Sequence, residues 1–257
     1  MKFLCLHGMG ANSDVYEIQM ASIRAKLDSA HEFFFVDGPI ECDPAEGVDR
    51  VSSGPFLCYY DKPVQERLQR AFDLLDDVIR EDGPFDGIFG FSQGGALAAS
   101  FLLHHREMHP HDPEPFQLAI FMGATLPFDP QSQTRANQYV TSISPQNGAV
   151  SVRDWNSEDL VEPLPINGLI APPAPGDGIL RLYHPEREAA RITIPTVHIM
   201  GTQDPFYPQS VVLSQLCSGH VDVVEHQEGH ILPRNYSFTR QVAVSIEQCI
   251  QRALFKC

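Results

Sequence analysis

The chain has 257 residues, 43% hydrophobic and 20% charged, enough apolar material for one large α/β core or at most two small domains. Its formal net charge of −15 repels phosphate backbones and anionic bilayers, which argues against nucleic acid or acidic membrane surfaces as partners. The six cysteines, Cys5, Cys42, Cys58, Cys217, Cys249 and Cys257, form no Cys-x-x-Cys pair and none stands at zinc-ligand spacing from a histidine. Scattered thiols fit a reducing compartment, and a cytoplasmic location is expected. The apolar stretch before His7 is too short for a signal-peptide core, and no run is long enough to span a bilayer, so no membrane insertion is expected.

Strand and helix patterns alternate from the start. Residues 3–6 are a short continuous apolar run, the signature of a strand buried on both faces. Gly8 and Gly10 break it. Asn12 or Ser13 then caps a helix with Asp14 and Glu17 in its first turn and an apolar side of Ile18, Ala21, Ile23 and Leu27. Residues 32–39 read as a second strand and 65–80 as a helix with Leu68, Phe72, Leu75 and Ile79 on one stripe. Residues 85–91 are a third strand, 93–106 the helix after it, and 118–122 a fourth strand. A fifth strand at 196–201, a helix at 210–216, a sixth strand at 221–226 and a closing helix at 238–253 complete the series. This alternation implies right-handed crossovers and a mostly parallel sheet of about six strands with helices on both faces.

Two stretches break the rhythm, residues 42–60 and 128–191. Both are Pro/Gly-interrupted, and connections this long inside a compact domain are commonly lids or linkers. Because strand and helix of the same sheet resume after residue 191, one α/β domain over residues 1–257 is expected, with lid insertions at 42–60 and 128–191 rather than a linker. Both follow strands and so overhang the edge of the sheet where ligands bind in open α/β folds.

Residues 90–94, "GFSQG", are G-x-S-x-G between a predicted strand and a predicted helix. That is the setting of a nucleophile elbow, where a strained turn holds the serine hydroxyl above the sheet. Gly90 and Gly94 are needed because side chains there would collide with the neighbouring helix and strand. A serine hydroxyl is a weak nucleophile and needs a base, which needs an orienting acid. In this arrangement the order is Ser, acid, His. Asp204 follows the fifth strand in "IMGTQDPF", and His230 lies in the loop after the sixth in "EHQEGHILP". Ser92, Asp204 and His230 therefore meet at one edge of the sheet. The rivals are His226, at a strand end where packing or solvent is the natural environment, and Asp177, which follows no strand. "HHREMHPHDPEP", residues 104–115, has metal-like composition but trails off a helix into a proline-rich turn, and no metal or cofactor is expected.

A tetrahedral intermediate needs two hydrogen-bond donors. The N–H of Gln93, directly after the nucleophile, and the N–H of Met9, in the "HGMG" loop after the first strand, are the candidates. His7 reads as a brace for that loop. Phe56, Tyr59, Leu126, Phe128, Phe206, Ile231 and Leu232 lie near strand ends or insertions and are candidates for a greasy acyl pocket, ordinary core being the alternative for each.

Four blocks, "FLCLHGMGANSDVYEIQ", "FDGIFGFSQGGALAA", "IPTVHIMGTQDPF" and "EHQEGHILP", together resemble the serine-hydrolase family abbreviated FSH, within the α/β-hydrolase fold. The likeness spans nearly the whole chain except the second insertion. It implies a compact sheet lacking the usual leading hairpin. It carries the nucleophile onto Ser92, the acid onto Asp204, the base onto His230 and the oxyanion loop onto Gly8–Met9. Fungal members look like stand-alone thioesterases and esterases, and some, of the lovastatin-pathway type, release polyketides from carrier domains. The resemblance thus implies a thioesterase acting on a polyketide or fatty acyl chain held by an acyl-carrier domain of a polyketide synthase. The alternatives are a carboxylesterase acting on free small esters and, more remotely, a non-catalytic binding protein of the same fold. Carrier domains are usually acidic, so docking one here calls for local positive charge, for which Arg181, Arg187 and Arg191 are candidates against a plain solvated face.

Overall fold

A computed structural model of the chain describes residues 1–132, 139–154, 180–232 and 234–255. Its elements in order are β1 (Lys2–Leu6), α1 (Ser13–Arg24), β2 (Glu32–Val36), β3 (Ile40–Glu41), β4 (Leu57–Cys58), α2 (Gln65–Asp82), β5 (Gly87–Phe91) and α3 (Gln93–Met108). They continue with β6 (Leu118–Met122), β7 (Tyr139–Ile143), β8 (Val150–Asp154), β9 (Thr196–Gly201), α4 (Tyr207–Gln215), β10 (Val221–His226) and α5 (Tyr236–Phe255). Six strands form one parallel sheet in the order β10-β9-β6-β5-β1-β2. The expected fold class, an α/β-hydrolase sheet of six strands, is what the chain adopts.

Alternate residues of each strand face opposite layers, as the two-residue period of a strand requires. Phe3, Cys5, Phe89, Ile120 and Val197 pack under α1 and α5 with Tyr16, Met20, Val242 and Ile246. Leu4, Leu6, Ile88, Ala119 and Phe121 pack under α2, α3 and α4 with Leu68, Phe72, Leu97, Leu102 and Leu213. Burial on both faces is why the central strands are continuous apolar runs without a polar alternate. Asn12 caps α1 by accepting from the Val15 N–H at 2.8 Å, and its amide also donates to the Pro55 carbonyl at 2.8 Å.

Parallel pairing sets Leu6 beside Gly90, Gly90 beside Phe121, Met122 beside Ile199, and Gly201 beside His226. The residues that follow β1, β5, β6, β9 and β10 therefore gather on one edge. Helix α4 starts earlier than its periodicity predicts, because Pro208 sits in its first turn, where a missing N–H costs no hydrogen bond.

Within 42–60, β3 and β4 pair antiparallel, and the hairpin is stitched to the loop after β1 by Gly10 N–H to Leu57 O at 2.9 Å and Leu57 N–H to Ala11 O at 2.7 Å. Within 128–191, β7 and β8 form an antiparallel hairpin in a stretch that reads from sequence as irregular. A methyl placed on Gly148, in the turn of this hairpin, would stand 2.5 Å from the Pro205 carbonyl oxygen. The base of the same stretch holds a buried charge cluster. Arg181 bonds Asp129 at 3.0 Å and Glu188 at 3.1 Å, and the Tyr139 hydroxyl donates to Glu188 at 2.7 Å. Asp177 lies outside the described residues. Among the described residues no helix is long and apolar enough to cross a membrane.

Candidate active site

Ser92 sits between β5 and α3 with φ 52° and ψ −117°, the one non-glycine residue among those described with a positive φ. So sparsely populated a backbone conformation costs about 1–3 kcal/mol, so the surroundings must impose it. A methyl on Gly90 would stand 2.5 Å from the Gly95 Cα, and one on Gly94 would stand 2.3 Å from the Leu6 carbonyl oxygen. Only glycine lets the helix start this close to the strands. The Ser92 N–H donates to the Met122 carbonyl at 2.9 Å, which pins the turn to β6.

His230 bridges the other two members of the expected trio. Its Nε2 lies 2.8 Å from Ser92 Oγ and its Nδ1 lies 2.6 Å from Asp204 Oδ2. The Asp204 side chain is 2% exposed, and its second oxygen accepts the Phe206 N–H at 2.7 Å. An ionised carboxylate only accepts, so the imidazole proton belongs on Nδ1, leaving the Nε2 lone pair for the serine hydroxyl. The ring stacks on Phe91 and takes the edge of Phe206, both with centroids at 4.9 Å. Beneath it lies Gly123, where an added methyl would stand 3.3 Å from Asp204 Oδ2 and from His230 Nδ1. His226 is turned away, buried against Phe238.

The loop after β1 approaches the serine closely. A methyl on Gly8 would stand 2.9 Å from the Phe91 ring and 3.3 Å from Ser92 Cβ. The Gly8 carbonyl is tied down by His7 Nδ1 at 2.7 Å and by the Ala11 N–H at 3.2 Å. Across a trans peptide the N–H points opposite to the carbonyl, so these bonds also fix the direction of the Met9 N–H. His7 Nε2 accepts the Gly38 N–H at 2.9 Å, which assigns its proton to Nδ1, and burial pushes its pKa down, keeping the ring neutral. Gln93 is the first residue of α3, so its own N–H has no acceptor within the helix.

The aromatic and aliphatic candidates divide. Phe206 touches the His230 ring, and Ile231 beside it is half exposed. Phe56 is partly buried against Ala11, Val15 and Val48. Tyr59, Leu126, Phe128 and Leu232 are buried. Tyr59 is fully enclosed because its hydroxyl is engaged inward, accepting the His7 N–H at 3.0 Å and donating to the Val36 carbonyl at 2.8 Å. Phe128 pairs by backbone with Leu182 and packs its ring edge-on to Tyr60. Phe91 reads from sequence as one more strand residue, although it directly precedes the serine. The arginines proposed as a positive patch are engaged with their own neighbourhood. Arg181 is in the buried cluster, Arg187 pairs with Asp154 at 2.8 Å, and Arg191 donates to the carbonyls of Ala190 and Pro185. Among the described residues no group of three or more His, Cys, Asp or Glu side chains is arranged to hold a metal.

A parallel sheet whose C-terminal edge carries a strained serine, hydrogen-bonded through an imidazole to a buried carboxylate, defines an α/β-hydrolase of the ester-cleaving kind. Residues 1–242 match the family model described as Serine hydrolase (FSH1), and the chain belongs to that family. It is 33% identical to Esterase alnB of Emericella nidulans over 98% of this chain and 97% of that protein. It is 31% identical to Esterase FPY3 of Fusarium mangiferae over 99% of each chain. Among solved structures, the carboxylesterase of Bacillus cereus superposes with a TM-score of 0.53 at 15% identity, covering 96% of this chain and 87% of that one.

Proposed function

We propose that Ser92, His230 and Asp204 act as a catalytic triad that hydrolyses acyl thioesters or esters through an acyl-serine intermediate. The carrying observation is the single imidazole within hydrogen-bond reach of both Ser92, at 2.8 Å, and Asp204, at 2.6 Å. Ser92 Oγ attacks the acyl carbonyl while His230 Nε2 takes its proton. Asp204 holds the tautomer and stabilises the imidazolium. The carbonyl oxygen, now an oxyanion, receives the N–H groups of Gln93 and Met9. As the tetrahedral adduct collapses, the C–S or C–O bond breaks. An alcohol leaving group takes the proton from His230 as the bond breaks, whereas a thiolate departs unaided and is protonated afterwards by His230, and either way the imidazole returns to its neutral form. Water, deprotonated by His230, then attacks the acyl-serine and frees the acid and Ser92.

The family resemblance supports an acyl chain delivered on a carrier domain as the substrate, released as a polyketide or fatty acid. A second reading, a free small ester, is supported by the internal engagement of Arg181, Arg187 and Arg191, which leaves less positive charge to meet an acidic carrier. A fluorophosphonate probe followed by a substrate panel tests both. Wild type should label and Ser92→Ala should not. Labelling of Ser92→Ala, or a folded wild type that never labels, would refute the triad. Turnover of acyl-pantetheine and acyl-carrier thioesters above aryl esters of equal chain length supports the carrier, and the reverse order supports the free ester.

A further inference from the structure

Among the buried polar side chains that the proposed chemistry does not use, three lie next to the proposed oxyanion donors: Gln93, Tyr59 and His7, at 5%, 0% and 0% exposure. A buried amide, phenol and imidazole are costly unless every polar atom finds a partner, and here each one does. The Gln93 side chain accepts the Tyr59 N–H at 2.9 Å and donates to the Tyr60 carbonyl at 2.8 Å. The Tyr59 hydroxyl, at the other end of that residue, accepts the His7 N–H and donates to the Val36 carbonyl. The His7 ring lies against Tyr59 with centroids 4.8 Å apart, and its nitrogens bond the Gly8 carbonyl and the Gly38 N–H. The chain of contacts therefore begins on the residue that carries one proposed oxyanion donor and ends on the peptide that carries the other.

We infer that Gln93, Tyr59 and His7 are positioning residues, a buried hydrogen-bond relay that sets the separation and direction of the Gln93 and Met9 N–H groups. The inference rests on the acyl-transfer reading above and adds to it a specific division of labour. Gln93 contributes twice, by its backbone to the oxyanion and by its side chain to the alignment of the opposite donor. Tyr59 reaches no substrate and acts through His7. The two donor segments leave neighbouring strands just past the paired residues Leu6 and Gly90, and the relay fixes them beyond that last pair. A misplacement of about 1 Å costs roughly 100-fold in rate, and loss of one donor costs about 100- to 1,000-fold.

The test is a double-mutant cycle on the full chain with an aryl ester, each rate normalised to active sites titrated with a fluorophosphonate. Tyr59→Phe keeps the ring and removes the hydroxyl, and kcat should fall about 10-fold with KM within threefold. Gln93→Leu should lower kcat about 100-fold. Because both act through one relay, the double variant should also lose about 100-fold rather than the roughly 1,000-fold product of independent losses. The pH midpoint of kcat should stay at the wild-type position, since His230 is untouched. A Tyr59→Phe protein with lower Tm but kcat within twofold of wild type would reduce the relay to a stabilising role and overturn the inference, as would multiplicative losses. If Gln93→Leu does not fold, Tyr59→Phe decides alone by the same split of kcat against KM. The Ser92→Ala control separates the levels. Turnover surviving in Ser92→Ala sinks the triad itself, whereas an inactive Ser92→Ala beside fully active relay variants sinks only the relay.

Discussion

Gly123→Ala places a methyl under the His230–Asp204 bond without removing any polar group. Two costs follow. Gly123 has φ +51°, and an alanine held there is strained by about 1–2 kcal/mol. For a chain of this size each kcal/mol moves Tm by about 2–4 °C, so Tm should fall by roughly 2–8 °C. The second cost is local. The new methyl would lie 3.3 Å from Asp204 Oδ2 and from Cε1 and Nδ1 of His230. The backbone has little room to retreat. The Gly123 N–H bonds the Ile199 carbonyl at 2.8 Å, and the next carbonyl, of Ala124, accepts from the Ser210 hydroxyl at 2.7 Å. The imidazole and carboxylate must therefore give way by a few tenths of an ångström. With about 100-fold lost per ångström, kcat should drop about 4- to 10-fold while KM changes little. Steady-state hydrolysis of an aryl ester, with sites counted by fluorophosphonate, measures the split, and a thermal melt measures the strain. A variant that loses stability yet keeps kcat within twofold would refute the idea that the floor of the site fixes the imidazole.

Three further outcomes are expected. Asp204→Asn should lower kcat by about 10,000-fold with structure intact, because an amide donor beside Nδ1 favours the tautomer whose proton blocks Nε2; a loss below 100-fold would show that another group orients the ring. His198 is buried and its pKa is pushed down to about 3, so below pH 6.5 the unfolded chain binds a proton that the folded chain refuses. Stability is full above that pH and declines as pH falls toward 3, by about 2 kcal/mol at pH 5. His198→Gln should remove that portion of the acid slope in urea melts at pH 7 and pH 5, and equal slopes would contradict the assignment. Arg181→Met leaves the enclosed Asp129 and Glu188 carboxylates without their cation and should cost about 3–5 kcal/mol, read as a Tm drop of roughly 6–20 °C; a drop under 2 °C would mean the cluster is not held as an ionic unit.

The sheet was legible because a parallel strand buried on both faces has no polar alternate, and "KFLCL", "GIFGF" and "LAIFM" each show that. Ser92, Asp204 and His230 were legible because a motif fixes the first and strand ends fix the others. What sequence did not yield is the direction of side chains in irregular segments. Tyr59 lies within an aromatic run and reads equally as wall or core; only the hydroxyl's partners, the His7 N–H and the Val36 carbonyl, show that the side chain points inward. The motif points to the backbone of Gln93, while its side chain bonds residues 33 and 34 positions away, a separation that no local pattern encodes. The β7–β8 hairpin was hidden because its strands sit inside a proline-rich stretch whose composition reads as loop.

The turn of that hairpin rests on the carbonyl of Pro205, the residue next to Asp204. Gly148 is the contact point, and any larger residue there would collide with it. A larger side chain at position 148 would therefore have to displace either the hairpin turn or the backbone of Pro205, the immediate neighbour of the Asp204 carboxylate that accepts from His230.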